Sequence, residues 1–347
     1  MRAVVLHGGR DLRIDSRDAG PLDEGRVRVR FRSGGICGSD LHYFLHGRTG
    51  DFVVTEPLTL GHEVAGEVVE IAGEAPPGLR VGDRVAVNPA RPCGVCPRCR
   101  EGRDNICEDV FFMGSASRTP HMQGGFAELV DVHPSQCFVV PPDVPFERAA
   151  LAEPLAVCLH AAARAGDLAG RRVLVTGMGP IGLLILLACR WHGAASVTVT
   201  DMADAPLARA AEAGADRVVN VGGDAEALER EVAAGGAFDV AFEASASPHA
   251  LASAIHAVRR GGTVVQVGNL PGGLVPVPAN RIMAREIDLR GSMRFGRREY
   301  AQAVDLIVRG EIDVAPLITA SLPLDRAPEA FELAADRSRS VKVVLTD

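Results

Sequence analysis

The sequence lacks a long apolar run and an excess of positive charge. No stretch of roughly 18 or more apolar residues occurs in it, so it contains no candidate transmembrane helix. The N-terminal residues also lack the apolar segment of a signal peptide. The formal net charge is −7, and an acidic chain is poorly suited to nucleic acid or to an anionic membrane surface. We therefore expect a cytoplasmic protein with neither of these partners.

The length of the chain and its change of pattern predict two domains. A chain of 347 residues is long for one hydrophobic core. The first 150 residues or so alternate short β-like runs with turns rich in Gly and Pro, which is typical of a β domain, and the run at 63–71 is an example. Strands and helices then alternate, which predicts an α/β fold with a doubly wound parallel sheet. We place the β domain at 1–152 and 291–347 and the α/β domain at 153–290.

Some elements are predicted from local periodicity alone. Residues 146–166 read as one long helix, 224–234 as a second and 249–262 as a third, and the third is followed by a strand at 263–268. The last strand-like run, 341–346, is expected to pack back on the first domain.

A glycine-rich turn after the first apolar strand of the α/β part points to a dinucleotide. Gly177, Gly179 and Gly182 form G-x-G-x-x-G between a strand and an apolar helix, and Asp201 ends the next strand. Asp201 would bind the adenosine ribose and repel a 2′-phosphate, which favours NAD over NADP. The alternative is an ordinary glycine turn beside a solvated aspartate.

Cysteines are clustered rather than dispersed. Cys93, Cys96, Cys99 and Cys107 have the spacing C-x2-C-x2-C-x7-C, which suits a closed structural zinc site. A disulfide pair and an iron–sulfur cluster are the alternatives, although the last gap is long for a ferredoxin and no proline follows the fourth cysteine. Three further cysteines lie in apolar surroundings typical of core residues: Cys137, Cys158 and Cys189.

The remaining cysteine lies in a polar setting. Cys37 follows Gly34 and Gly35, which we expect to let the backbone turn from a strand into a loop, and Ser39, His42 and Tyr43 follow it. His62, Glu63 and Glu153 lie further along the chain. A Cys/His/Glu set with an open position is typical of a catalytic zinc site, but spacing alone does not bring these residues together.

Five segments together resemble the zinc-dependent medium-chain dehydrogenase family, over essentially the whole chain: "GGICGSDLHYF", "LGHEVAGEV", the four-cysteine lobe, "AEPLAVCLHAA" and "GMGPIG". The resemblance implies a GroES-like catalytic domain, a Rossmann NAD-binding domain, and two zinc ions, one catalytic and one structural. Cys37, His62 and Glu153 would bind the catalytic zinc, and Glu63 would be an alternate ligand or hold a water molecule. Ser39 and His42 would relay the substrate proton.

The same resemblance, strongest to the polyol dehydrogenase branch, implies the remaining site residues. Tyr43, Arg294 and Phe295 would line the substrate pocket, and a sugar acid such as L-idonate would suit the planar guanidinium of Arg294. The implied NAD contacts are Gly177, Gly179, Pro180, Ile181, Gly182, Asp201, Val267, Gly268, Asn269, Met293 and Phe295. Pro206 and Phe295 depart from the usual arginine and tyrosine of this branch. A homo-oligomer, dimer or tetramer, is also implied.

Other functions stay open at this point. The same machinery serves dehydrogenases of sorbitol, xylitol, butanediol or L-threonine, and a nucleotide-binding protein without catalytic activity is a more remote alternative. A zinc protease is excluded, because "GHEVAG" lacks the second histidine of H-E-x-x-H.

Overall fold

The computed structural model describes residues 1–74, 76–224 and 226–347, and the chain divides into two compact units. The first unit comprises Met1–Pro154 and Gly296–Asp347, and the second comprises Leu155–Phe295. No helix within the described ranges combines the length and the apolar character that crossing a bilayer requires.

The first unit begins with short strands and helices. They are β1 (Arg2–Gly8), β2 (Asp11–Ser16), β3 (Val27–Gly35), α1 (Gly38–His46), β4 (Arg48–Thr49), β5 (Phe52–Val53), β6 (Leu58–Thr59), β7 (Glu63–Ile71), β8 (Arg84–Val87), β9 (Ala90–Arg91), α2 (Pro97–Arg100), β10 (Phe111–Phe112), β11 (Leu129–Val132), β12 (Cys137–Val139) and α3 (Phe146–Ala150).

The second unit alternates strands and helices. They are α4 (Ala152–Ala165), which begins in the first unit, then β13 (Arg172–Thr176), α5 (Pro180–Trp191), β14 (Ser196–Asp201), α6 (Asp204–Glu212), β15 (Arg217–Asn220), α7 (Ala227–Gly235), β16 (Phe238–Glu243), α8 (Pro248–Ala257), β17 (Val258–Gln266), α9 (Ala279–Arg285) and β18 (Asp288–Gly291). The chain then returns to the first unit with α10 (Arg297–Val308), β19 (Ile318–Pro323), α11 (Ala327–Ala335) and β20 (Lys342–Thr346).

The main sheet of the first unit has the strand order β12-β8-β7-β3-β20-β19, and β11 also pairs with β3. The predicted run 63–71 is a strand over the same residues. The C-terminal strand β20 pairs antiparallel with β3, so the tail of the chain completes this sheet as expected. Large side chains such as Phe31, Phe126 and Phe331 fill the core beside the sheet and are buried.

The sheet of the second unit is parallel, in the order β15-β14-β13-β16-β17-β18. This is the strand order of a Rossmann fold, whose ligands bind outside the carboxyl ends of the strands. The inner strands are apolar and buried, as a parallel sheet between two layers requires. The predicted fold class is therefore confirmed.

Three predicted helices differ in their bounds from the helices of the structure. The helix predicted at 146–166 is divided into α3 and α4, because Pro154 lacks an N–H and its ring would clash with the carbonyl of Ala150 in a continuous helix. The helix predicted at 249–262 ends at Ala257, because Val258 pairs with Phe238 and starts strand β17. The helix predicted at 224–234 forms from Ala227, and Ala225 lies outside the described residues.

Candidate metal and dinucleotide sites

The ends of three neighbouring strands bring the polar residues of the first unit together. Gly35, at the end of β3, lies opposite Glu63, the first residue of β7, and opposite Val344 of β20. Because β3 runs antiparallel to both neighbours, its carboxyl end meets their amino ends. This pairing places Cys37, His62 and Lys342 together at one end of the three strands.

Cys37, His62 and Glu63 form a group that fits a metal ion. Their ligand atoms all lie within 4.8 Å of one another, and His62 and Glu63 are buried. One thiolate, one imidazole and one carboxylate are ligands that zinc accepts, and a set of three leaves a position for water or substrate. The donor set therefore fits a catalytic zinc ion.

Glu153 lies outside this group but is electrostatically coupled to it. Burial raises the pKa of Glu153 to about 7. The charge of His62 lowers this pKa, and the like charge of Glu63 raises it further. Whether Glu63 or Glu153 is the resting ligand stays a matter of prediction.

Asp40 is a site residue that the sequence motifs did not single out. It is fully buried, accepts a hydrogen bond from the Cys37 N–H at 3.0 Å, and has an oxygen 3.4 Å from Nδ1 of His62. Burial lowers the pKa of His62, but the charges of Asp40 and Cys37 outweigh burial and raise it well above its ordinary value. Asp40 thus orients the imidazole, as carboxylates near metal-binding histidines do. Its spacing of three from Cys37, as in a capping box, was the available signal.

Lys342 is a second residue that the motifs missed. Its Nζ donates to both carboxylate oxygens of Glu63, at 2.7 and 2.8 Å, and to the carbonyl of Ile36 at 3.1 Å. Burial lowers the pKa of Lys342, but the charges of Glu63 and Cys37 outweigh burial and raise it. A buried ammonium therefore balances the negative charges of Glu63 and Cys37 at these strand ends.

The segment that contains Cys37 differs from expectation. Gly34 and Gly35 do not form a turn, because both belong to β3. They are needed for space: a Cβ on Gly35 would lie 1.9 Å from the Glu63 carboxylate, and one on Gly34 would lie 2.8 Å from Phe126. Cys37 is followed by helix α1 rather than by a loop.

Helix α1 carries the polar residues that follow Cys37. Ser39 and His42 are three residues apart and so share a face of the helix. Partial burial lowers the pKa of His42, and the charges of His46 and Arg337 lower it further. Tyr43 is buried, and its hydroxyl accepts a hydrogen bond from the Ala116 N–H at 3.0 Å. The role of Tyr43 toward a substrate remains a prediction.

The four clustered cysteines also converge. The Sγ atoms of Cys93, Cys96, Cys99 and Cys107 lie within 4.8 Å of one another. Backbone N–H groups point at the sulfurs, including Cys93 N–H to Cys107 Sγ at 3.2 Å, and the N–H groups of Glu108 and Cys99 lower the pKa of Cys96 to about 6. All eight cysteines are free thiols, so the disulfide alternative is not observed. Four thiols with this geometry fit a closed zinc shell.

The glycine-rich turn of the second unit has the geometry that a dinucleotide requires. Gly177 has φ +87°, and a Cβ on it would lie 2.7 Å from Ser245. A Cβ on Gly182 would lie 1.8 Å from the carbonyl oxygen of Gly177, whereas one on Gly179 would meet nothing within 4 Å. The turn is thus tight on the protein side and open at Gly179, where α5 begins and a pyrophosphate could approach.

Polar groups lie at the carboxyl ends of the strands in the same sheet. Asp201 accepts hydrogen bonds from the N–H groups of Met178, at 2.7 Å, and Ala203, at 3.1 Å, so it is held beside the turn. Gln266 Oε1 and Ser292 Oγ are buried and have no hydrogen-bond partner within the described ranges. Acceptors and donors of this kind fit the hydroxyl and amide groups of a dinucleotide.

The other predicted cofactor and substrate residues follow strands or begin helices of this unit. Pro180 and Ile181 start α5, and two segments come after β17 and β18: Val267, Gly268 and Asn269, and Met293, Arg294 and Phe295. Arg294 has φ +51°, which is rare for a residue with a side chain. The binding roles of these residues remain predictions.

Comparison with known proteins identifies the family. The model of the alcohol dehydrogenase GroES-like domain matches residues 23–142, and that of the zinc-binding dehydrogenases matches residues 180–309. L-idonate 5-dehydrogenase (NAD(P)(+)) of Escherichia coli (strain K12) is 40% identical over 91% of this chain and 90% of its own length.

The chain belongs to the zinc-binding dehydrogenase family.

Other members of the family are nearly as similar. Sorbitol dehydrogenase of Bacillus subtilis (strain 168) is 36% identical over 96% of this chain and 93% of that protein. The crystal structure of the E. coli L-idonate 5-dehydrogenase superimposes with a TM-score of 0.94 at 38% identity, over 100% of this chain and 98% of that one. That of 2R,3R-butanediol dehydrogenase from Bacillus subtilis gives 0.90 at 30% identity, over 100% and 99%. This zinc-binding dehydrogenase is therefore an enzyme that oxidises alcohols or reduces the corresponding carbonyl compounds.

Proposed function

We propose that this dehydrogenase oxidises a secondary alcohol of a sugar acid with NAD, and that its substrate is L-idonate, which becomes 5-ketogluconate. The donor group formed by Cys37, His62 and Glu63 is the observation that carries the chemistry. The similarity to the E. coli enzyme and the presence of Arg294 support the substrate, since a guanidinium can bind both oxygens of a carboxylate.

The candidate site residues of the first unit have separate roles in the proposed reaction. Cys37, His62 and either Glu63 or Glu153 would hold a zinc ion, which would supply a Lewis acid for a substrate hydroxyl, and bound NAD would supply the hydride acceptor. Asp40 holds His62 in one orientation through the contact at Nδ1. Ser39 would pass the hydroxyl proton on toward the cofactor ribose, and His42, whose pKa is lowered by partial burial and by the charges of His46 and Arg337, would pass the proton to solvent.

The lobe of Cys93, Cys96, Cys99 and Cys107 would hold the second, structural zinc ion. Asp201 supports NAD as the preferred dinucleotide, because its carboxylate would repel a 2′-phosphate, and Met202 and Ala203 follow it without a cation. We also propose a homodimer or homotetramer. The edge strand β18, which has one partner strand in the described sheet and exposes Leu289, supports this assembly.

A neutral polyol is the second candidate substrate, favoured by the similarity to sorbitol dehydrogenase. Threonine or butanediol would require the same zinc and dinucleotide chemistry with a different pocket. A protein without catalytic activity is disfavoured, because the Cys37 group and the glycine-rich turn both keep the geometry that the chemistry needs.

The substrate is tested by supplying L-idonate, D-gluconate, sorbitol, xylitol, 2,3-butanediol and L-threonine separately and following NADH formation. We expect L-idonate to give the highest kcat/KM. Arg294→Gln should lower kcat/KM for L-idonate roughly ten- to hundredfold, since a charged hydrogen bond contributes about 1.5–3 kcal/mol, while leaving neutral polyols nearly unaffected.

Arg298→Gln, on an exposed residue of α10, is the matched control. A preference for sorbitol or xylitol, insensitive to Arg294→Gln, would keep the dehydrogenase chemistry and contradict the sugar acid.

A further inference from the structure

Glu243 is a buried carboxylate that the proposed chemistry does not use. It is the last residue of β16, at the carboxyl end of a central strand, and its exposed fraction is 0%. No arginine, lysine or histidine forms an ion pair with it in the part of the chain that the structure describes. A buried carboxylate is costly unless hydrogen bonds satisfy it, so its partners indicate its role.

Those partners belong to two different loops. Glu243 Oε1 accepts hydrogen bonds from the Ser245 N–H, at 2.7 Å, and from the Ser245 hydroxyl. Oε2 accepts one from Gln266 Nε2 at 2.5 Å, and the same Nε2 donates to the carbonyl of Gly268 at 2.7 Å. The backbone carbonyl of Glu243 accepts the N–H groups of Val267 and Gly268, both at 2.9 Å. One residue thus joins the loop after β16 to the loop after β17.

Close packing leaves these loops little freedom to move independently. A Cβ on Gly177 would lie 2.7 Å from Ser245, and one on Gly268 would lie 2.5 Å from the nitrogen of Ala246 and 3.0 Å from Glu243 Oε2. Ala246 is held at φ +61°, an unfavourable conformation for alanine that the surrounding contacts must maintain. The glycine-rich turn and both loops are packed around one carboxylate.

Gln266 is oriented by the same carboxylate. Its Nε2 faces two acceptors, Glu243 Oε2 and the Gly268 carbonyl, which determines which end of the amide carries the nitrogen. Its Oε1, which is buried and has no partner within the described ranges, is then left as an acceptor at the carboxyl end of β17.

We propose that Glu243 is a positioning residue for the dinucleotide. Its carboxylate fixes the Ser245 loop and the Val267–Gly268 loop against the turn at Gly177, and it thereby sets the affinity of the second unit for NAD and NADH. This inference rests on the proposed function, in that it assumes a dinucleotide site at these strand ends.

The test is a fluorescence titration of the full-length zinc enzyme with NADH, compared between wild type and Glu243→Gln. The variant keeps the shape of the side chain, but its amide nitrogen cannot accept the bonds that each carboxylate oxygen accepts. We expect the Kd for NADH and the KM for NAD to rise roughly tenfold, the effect of weakening a charged hydrogen bond, while the KM for the alcohol changes less than twofold.

Two further variants separate positioning from general stability. Glu212→Gln, on an exposed residue of α6 in the same unit, should bind NADH as the wild type does. Ser245→Ala removes one of the two donors to Glu243 Oε1, and because the Ser245 N–H still donates to that oxygen, this variant should weaken NADH binding less than Glu243→Gln does.

An unchanged Kd in Glu243→Gln would overturn the inference. So would a weaker Kd accompanied by an equal rise in the KM for the alcohol. A wild-type enzyme that fails to bind NADH would instead overturn the proposed function, and this inference with it.

Discussion

At the scale of single residues, Lys342 controls the charge balance around Cys37. It is the only lysine in the sequence, and its exposed fraction is 2%. Breaking a buried ion pair by removing one partner typically costs about 3–5 kcal/mol, because the other charge stays buried without compensation. We therefore expect Lys342→Met to lower the free energy of unfolding by about this amount, measured as a lower denaturant midpoint.

The control for this prediction removes both charges. The double variant Glu63→Gln with Lys342→Met also removes the carboxylate that Lys342 pairs with, so it should unfold closer to the wild type than Lys342→Met does. A Lys342→Met variant with the wild-type midpoint would show that the pair contributes nothing to stability.

The residues that sequence reasoning found and missed differ in one physical respect. Cys37, His62, Glu153 and the alternate Glu63 could be singled out in the sequence because each residue type is itself a zinc ligand. Asp40 and Lys342 act on those ligands through contacts, and Lys342 lies 279 positions from Glu63. Such a contact depends on the pairing of β20 with β3, which periodicity cannot reveal. Gly35 was predicted to form a turn, which is wrong. A glycine is needed there because a Cβ would overlap the Glu63 carboxylate, and this close approach exists only in the packed sheet.

At the scale of elements, helix α1 allows a prediction about pH. His42 and His46 are four residues apart, and their ring centroids are separated by 5.9 Å. Burial is the main cause of the lowered pKa of His42, and the charge of His46 is the next. His46→Gln removes that positive neighbour, so the pKa of His42 should rise toward its ordinary value. If His42 must be neutral to accept a proton, the acidic limb of the kcat/KM profile should move to higher pH.

The measurement is the pH dependence of kcat/KM for wild type and His46→Gln, at constant ionic strength. His256→Gln, on an exposed histidine of α8, is the control and should leave the profile unchanged. An acidic limb that stays in place in His46→Gln would exclude His42 as the titrating group.

The elements that were mispredicted share a cause. The sequence pattern identified β7 over its full range, because a short run rich in β-branched residues coincides with one element. It failed at Val258–Gly262, where a helical pattern continues into residues that the parallel sheet recruits as a strand. It also failed at Leu151, where the predicted helix is interrupted. The ring of Pro154 would clash with the backbone carbonyl four positions earlier, so the interruption precedes the proline itself.

At the scale of the whole molecule, the candidate metal groups and the candidate dinucleotide site lie in different units. The first unit contains both candidate zinc groups, and the second contains the glycine-rich turn with the polar strand ends. The fold class could be predicted because a β-rich pattern changes to an alternating one along the chain. The contacts within each site could not, because they join residues from distant parts of a unit.

The two zinc groups should respond differently to the loss of one ligand. In the group of Cys37 a zinc ion would serve the proposed reaction, whereas in the lobe of Cys93, Cys96, Cys99 and Cys107 a closed shell would stabilise the fold. Serine is a much poorer zinc ligand than a thiolate. We expect Cys37→Ser to lose turnover and one zinc ion while keeping the thermal unfolding midpoint. Cys96→Ser should lose the other zinc ion, with lower solubility and a lower midpoint.

Zinc content, turnover and thermal unfolding of both purified variants test this. Near-normal turnover of Cys37→Ser without its zinc would refute the catalytic assignment, and an unchanged midpoint in Cys96→Ser would refute the structural one.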